Sequence, residues 1–299
     1  MTPPFRLVAT DLDGTLLRDD GTISPRTAAT LDRVRALGIP VVFVTARPPR
    51  RVREIARASG IGGLAICSNG ALVYDLTTES VVRQTLLEAV VAHRLVAALR
   101  EAAPGITFAV EAGLHYGQEP GYAPHDPHAE QGLRYDDAIA LCAEGVTKLI
   151  ALHPTWVLDE LLLLAQRLVA EVAVVTHSGA PFVEIAAPGI TKAAALAELC
   201  AELAIGPADV IAFGDMPNDL SLLDWAGYRV AVANAHPAVL AVADEVAATN
   251  NEDGVARVLM RLIEARSMIK NMSRQGAKDA KDKESRAQER GRILRWRSE

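Results

Sequence analysis

The chain has 299 residues, half of them apolar and 23% charged, with a formal net charge of −6 and only 4% aromatic residues. That length suggests two domains or one domain with a large insertion, and the composition suits a globular chain with a sizeable core. The acidic balance and sparse aromatics argue against a general nucleic-acid binder, and no run approaches the ~18 apolar residues of a membrane span.

From the N-terminus, Phe5–Thr10 reads as a strand that ends in two aspartates, Asp11 and Asp13. Ser24 and Pro25 give an N-cap and a first-turn proline, after which Ala28, Leu31, Val34 and Leu37 mark one helix face up to Gly38. Ile39–Thr45 is a fully apolar strand, as in a parallel sheet covered on both faces. Pro48–Ser59 reads as a helix and Leu64–Cys67 as a short strand.

Between about Val81 and Ala187 the pattern changes to an α+β unit. A helix at about Leu86–Glu101 precedes strands at Ile106–Glu111 and Leu114–Gly117. A turn-rich loop over residues 119–132 follows, and then a strand at Val146–Leu152, a helix at Trp156–Ala170 and strands at Val172–Thr176 and Phe182–Ala186. His125 and His128 flank Asp126 in that loop, and the proline-rich setting reads as surface rather than as a metal site.

The β/α alternation then resumes. Thr191–Leu203, Pro217–Ala226, Pro237–Ala243 and Asp253–Ala265 read as helices, and Val210–Gly214 and Tyr228–Ala233 as strands. The expectation is an α/β fold, a doubly wound and mainly parallel sheet with an inserted second unit. Residues 266–299 hold eleven Lys/Arg against five Asp/Glu and read as a charged, solvated tail. Asp11 interrupts the only early apolar run, so no secretory leader is expected there. Cys67, Cys142 and Cys200 stand singly, which suits buried free thiols in a reducing cytoplasm.

In open α/β sheets, ligands sit beyond the carboxyl ends of the strands. The polar residues placed there are few. Asp11 and Asp13 follow the first strand, Thr45 and Arg47 the second, Ser68, Asn69 and Gly70 the third, and Asp215, Asn218 and Asp219 the strand Val210–Gly214. Lys192 stands in the first turn of a helix. Clustered carboxylates repel one another unless a cation neutralises them, so Asp11, Asp13 and Asp215 imply a hard metal such as Mg²⁺. With a lysine and a hydroxyl added, the set suits phosphoryl transfer, where positioning and charge neutralisation dominate. One aspartate can be the nucleophile and a second can move the proton.

Other phosphate motifs are missing. No Walker A sequence occurs, and Gly60–Ala65 matches a dinucleotide fingerprint only formally, because it precedes a strand. The DLDGTL stretch lacks the glycine and glutamate of a calcium loop, having Leu16 and Thr22 in their places.

The stretches DLDGTL (11–16), VTARP (44–48), GITK (189–192) and GDMPND (214–219) resemble, in order, the four motifs of the haloacid dehalogenase-like phosphatase superfamily. SNGA (68–71), NNEDGVA (250–256) and the large insertion resemble its Cof-type hydrolases with an α/β cap. The resemblance implies a core formed by residues 1–80 and 188–265 with a cap at 81–187. It implies Asp11 as nucleophile and metal ligand, and Asp13 as acid/base with its carbonyl on Mg²⁺. Asp215 would complete the metal site, supported by Asp219. Thr45 and Lys192 would hold the phosphoryl group, and Arg47, Asn69, Gly70 and Asn218 would face the substrate. The activity implied is Mg²⁺-dependent hydrolysis of a small phosphorylated metabolite through an aspartyl-phosphate. A phosphotransferase or sugar-phosphate mutase, and a non-catalytic phosphate-ligand regulator, are the alternatives.

Overall fold

The computed structural model of the chain describes residues 5–122, 133–169, 171–178 and 180–265. The tail at 266–299 and the residues His125, Asp126 and His128 lie outside the described residues.

Five short runs, β1 (Leu7–Thr10), β2 (Val41–Val44), β3 (Leu64–Cys67), β4 (Leu72–Asp75) and β5 (Ser80–Gln84), the first three without any charge, belong to one sheet. Helices α1 (Pro25–Ala36) and α2 (Pro49–Ser59) connect the first three. The Ser24 hydroxyl accepts from the Thr27 amide at 3.0 Å to open α1, a cap worth about 1 kcal/mol. Gly60 closes α2 in the left-handed region, at φ 69°.

The chain then leaves through α3 (Ala89–Ala102) for β6 (Thr107–Ala112), β7 (His115–Gln118) and β8 (Leu133–Tyr135), followed by α4 (Ala138–Leu141), β9 (Lys148–Leu152), α5 (Leu158–Val169), β10 (Val174–Thr176) and β11 (Val183–Ala186). These strands make a second sheet in the order β10-β11-β9-β6-β7-β8, with only β7 and β8 parallel. The faces of α3 and α5 that carry Leu95, Leu99, Leu161 and Ala165 cover it with a core of its own.

The chain returns through α6 (Lys192–Glu202), β12 (Val210–Gly214), α7 (Leu220–Trp225), β13 (Tyr228–Val232), α8 (Pro237–Leu240), β14 (Glu245–Ala247) and a helix over residues 254–265. The first sheet has the order β14-β13-β12-β1-β2-β3-β4-β5. It is parallel from β14 to β3 and antiparallel beyond. This is the doubly wound α/β fold expected, and strand order reverses at β1. Thr10 lies level with Phe213 on one side and Phe43 on the other. That register brings Asp11, Thr45 and Asp215 to one edge.

Three features depart from the sequence expectation. The β4–β5 hairpin is new, and it keeps the chain in the first sheet through Gln84; its second strand is alternately exposed and half-buried, so no apolar run marks it. The segment Pro217–Ala226 is a tight 3-10 turn, Pro217–Asp219, before α7, because Asp219 turns back onto the amides of Asp215 and Met216. The strands β8 and β14 span three residues each, too short for a visible period. The three cysteines are buried and free, as expected, and among the described residues no helix is long and apolar enough to cross a membrane.

Candidate active site

Asp11 is fixed by backbone pairing before its side chain does anything, its amide donating to the Phe213 carbonyl at 3.0 Å. The following residues form a wide turn, Leu12–Leu16, closed by the Leu17 amide on the Leu12 carbonyl at 2.8 Å. Gly14 takes φ +70° within it, and a Cβ there would collide with the Asp215 carboxylate. Glycine is therefore required both by conformation and by close approach. Thr15, in the same turn, donates its hydroxyl proton to Asp215 Oδ1 at 2.8 Å.

The N-terminal turn of α6 brings in a buried cation. Thr191 caps the helix by accepting from the Ala194 amide, and Gly70, at φ +111°, packs so closely on the Thr191 carbonyl that no side chain would fit. Lys192 is only 1% exposed. Its Nζ donates to Asp11 Oδ1 at 2.7 Å and to Asp219 Oδ1 at 2.6 Å. Asp219 Oδ2 accepts from the amides of Asp215 and Met216 at 2.9 and 3.1 Å, so both its oxygens are engaged.

Asp11, Asp215 and Asp219 offer carboxylate oxygens that lie within 4.8 Å of one another. Lys192 balances one of these three buried charges. Asp11 and Asp215 each keep one oxygen, Oδ2, with no protein donor among the described residues. Buried carboxylates with open oxygens and an excess of negative charge fit a hard, oxygen-seeking cation. The same crowding shifts their titration. Burial pushes Asp11 up, opposed by Lys192 and reinforced by Asp219 and Asp215. Burial and the nearby Asp219 push Asp215 up to about 7. For Lys192, burial works to lower its pKa, but Asp11 and Asp219 outweigh it and raise it.

The remaining expected residues divide into two groups. Asp13 is exposed and held by Arg47, whose Nε and Nη2 donate to its two oxygens at 2.7 and 2.5 Å. Thr45 is fully buried at the end of β2, with its hydroxyl oxygen accepting from the Arg47 amide at 3.1 Å. Asn218 donates to Asn69 Oδ1 at 3.2 Å, and its own Oδ1 is buried without a partner among the described residues. Asp11, Asp13, Arg47 and Asn218 line a cavity of about 440 Å³ between the two sheets. Gly70 is placed against the Thr191 backbone instead, where it sets the start of α6.

The second sheet supplies the other wall, which sequence reasoning did not single out. Lys148 Nζ donates to the Ala46 carbonyl at 2.7 Å and to Glu184 Oε1 at 2.5 Å. Asn69 donates to Glu184 Oε2 at 3.1 Å. Arg50 on α2 makes a two-pronged pair with Glu111 on β6 and lies 4.7 Å from the Tyr116 ring centre. The signal was present as single charges within apolar strands, KLIAL, FVEIA and FAVEA, since a buried charge must find a partner.

The profile of the haloacid dehalogenase-like hydrolases matches residues 8–259. An HMP-PP phosphatase of Cronobacter sakazakii is 30% identical over 245 residues, which cover 79% of this chain and 87% of the relative. A 5-amino-6-(5-phospho-D-ribitylamino)uracil phosphatase of Bacillus subtilis is 30% identical over 278 residues, covering 86% of this chain and 97% of that one. Among solved structures, a haloacid dehalogenase-like hydrolase of Bacteroides thetaiotaomicron superposes with a TM-score of 0.73 at 26% identity, over 86% of this chain and 99% of its own. With the profile spanning both halves of the site, this chain belongs to the haloacid dehalogenase-like hydrolase family.

Proposed function

We propose that the chain is a Mg²⁺-dependent phosphatase that hydrolyses a small phosphorylated metabolite through an aspartyl-phosphate on Asp11. The observation that carries this reading is the buried Asp11–Lys192–Asp219 chain beside Asp215, with Asp11 lining the cavity between the two sheets. The names of the curated relatives, phosphatases of small molecules, support it.

Lys192 orients Asp11 through a hydrogen bond to its carboxylate; one oxygen of that carboxylate attacks phosphorus and the other would bind Mg²⁺. As the P–O bond to the leaving alcohol breaks, Asp13 delivers a proton to that oxygen. Asp13 then takes a proton from water, the resulting hydroxide attacks the phosphorus of the aspartyl-phosphate, and free phosphate leaves with the Asp11 carboxylate restored. Thr45 and Lys192 supply donors to the phosphoryl oxygens, with Asn218 near them. Mg²⁺ would be held by Asp11, Asp215 and the Asp13 carbonyl, with Asp219 behind them, and would supply positive charge facing the phosphoryl oxygens. Arg47 has to leave Asp13 for the proton transfer, and an incoming phosphate is a competing anion for its guanidinium. Asn69, Lys148 and Glu184 face the part of the substrate remote from phosphorus.

The same reading divides the chain into a core and an inserted cap at about 81–187. Because β5 pairs with β4, we place the crossing into the cap after Gln84. A cytoplasmic setting belongs to it too, supported by three thiols buried without partners. The test is p-nitrophenyl phosphate hydrolysis with Mg²⁺, followed by a panel of phosphorylated metabolites with sugar acceptors present. Release of phosphate to water, abolished by Asp11→Asn, is expected. An Asp11→Asn protein with parent activity would overturn the assignment, and transfer to a sugar hydroxyl would make the protein a phosphotransferase.

A further inference from the structure

The NNEDGVA stretch takes no part in the chemistry above, yet its first asparagine is buried beside the nucleophile turn. Asn250 Nδ2 donates to the Leu17 carbonyl at 2.9 Å, at the end of that turn, and to Asp19 Oδ1 at 2.9 Å. The Asn250 amide donates to Asn234 Oδ1 at 3.0 Å. Asn234 Nδ2 in turn donates to the Gly14 carbonyl at 2.7 Å. Two residues on, the His236 amide donates to the Asp215 carbonyl at 2.8 Å.

We propose that Asn234 and Asn250 are positioning residues of the hydrolytic reaction, a two-amide clamp that fixes the turn between the nucleophile and Thr15. A turn containing non-helical residues at Asp13 and Gly14 leaves carbonyls without regular backbone partners. The clamp takes the carbonyls of Gly14 and Leu17, on either side of Thr15. Thr15 holds Asp215 by its side chain, while the segment that carries Asn234 holds Asp215 by its backbone. Both carboxylate-bearing loops are thus referred to one segment, residues 234–236. Asn251, by contrast, reaches only Asp19 among the described residues, by side chain and by accepting from its amide. Catalytic groups lose effect when displaced by a fraction of an ångström, so the clamp acts on turnover more than on binding.

The inference rests on Asp11 being the nucleophile, and its test has one readout that does not use activity. In Asn234→Ala, kcat for p-nitrophenyl phosphate is expected to fall about tenfold or more with KM within about threefold. In the same variant the Leu17 amide should exchange with solvent faster, while amides of β1 and β12 keep parent rates. Asn251→Ala should keep the parent kcat. Parent kcat in Asn234→Ala, or an unchanged Leu17 exchange rate, overturns the proposal. If the parent protein has no phosphatase activity, the functional reading fails and Leu17 exchange alone decides whether the clamp exists. Should Asn234→Ala not fold, Asn234→Asp is read in the same way, since it keeps the oxygen facing Asn250 but has no N–H for Gly14.

Discussion

Lys192 Nζ stands 2.7 Å from Asp11 and 2.6 Å from Asp219, and all three side chains are buried. One ammonium therefore orients the proposed nucleophile and the residue that braces the Asp215 loop. Removing one member of a buried ionic group leaves its partners uncompensated, at a cost of about 3–5 kcal/mol. Lys192→Met should lower stability by about 3 kcal/mol at pH 7 in urea titrations. The loss should be smaller at pH 5, where Asp11, already pushed up by burial, takes up a proton more readily. The kcat should fall by about 10²–10³, the range for loss of one group that stabilises transition-state charge. An equal stability loss at both pH values would show that charge balance is not what Lys192 provides.

Asp215 connects metal loading to pH. Its carboxyl titrates at about 7 in the folded chain against an ordinary 3.8, because it is buried beside Asp219. Asp11 is displaced in the same direction. The metal-free folded state thus keeps protons that the unfolded chain releases, so this stabilisation is complete below pH 3.8. It declines as pH rises and is lost above about 7. A cation that needs ionised carboxylates competes with those protons. Without metal, Tm should decline between pH 5 and 8, and saturating Mg²⁺ should raise Tm more at pH 8 than at pH 5. Thermal melts at the two pH values, with Mg²⁺ and with EDTA, measure both effects. An equal Mg²⁺ shift at each pH would separate the metal from these carboxylates.

How far the fold and site could be read before the structure depended on range. Leu64–Cys67 and Val210–Gly214 were legible to the residue, because short apolar runs between turn residues admit one reading. The residues at the strand ends were legible because the switch-point rule says where to look, and Asp11, Thr45 and Asp215 do stand at one edge. The β4–β5 hairpin was not, since Ser80–Gln84 presents no continuous apolar face. Gly70 followed the strand-end rule and yet packs on Thr191, because a glycine with φ +111° was needed for the approach of α6. The cap wall was least legible. Glu184 meets Asn69 across 115 positions of chain, and a lone charge in an apolar strand says that a partner exists without saying which.

Gly14 permits a test in which backbone strain and site geometry separate. Its φ of +70° disfavours any side chain by about 1–2 kcal/mol, and a Cβ would also strike Asp215 Oδ2. Gly21 has φ +78° and, its chain neighbours aside, no heavy atom of a described residue within 4 Å of its would-be Cβ. Gly21→Ala should therefore show the conformational cost alone, with a parent Mg²⁺-induced rise in Tm. Gly14→Ala should cost more stability and lose most of that rise. Matching behaviour of the two variants would mean that the contact with Asp215 has no bearing on metal binding.

The Arg50–Glu111 pair ties α2 of the first sheet to β6 of the second, with side chains only 9% and 4% exposed. A buried pair of this kind is costly to break from one side and much less so to replace as a unit. Arg50→Met alone should destabilise the protein by about 3 kcal/mol, because Glu111 is left as an uncompensated buried charge. Glu111→Leu alone should destabilise the protein less, because the Tyr116 ring stays beneath the guanidinium. The double variant should recover at least about 1 kcal/mol relative to the sum of the two. A urea-denaturation cycle measures that coupling, and KM for p-nitrophenyl phosphate shows whether it reaches the site. Arg50 lines the cavity beside Asp11 and Asp13, so KM should rise in both single variants as the two walls part. Additive stability losses with a parent KM would mean that the pair does not hold the two sheets together around the site.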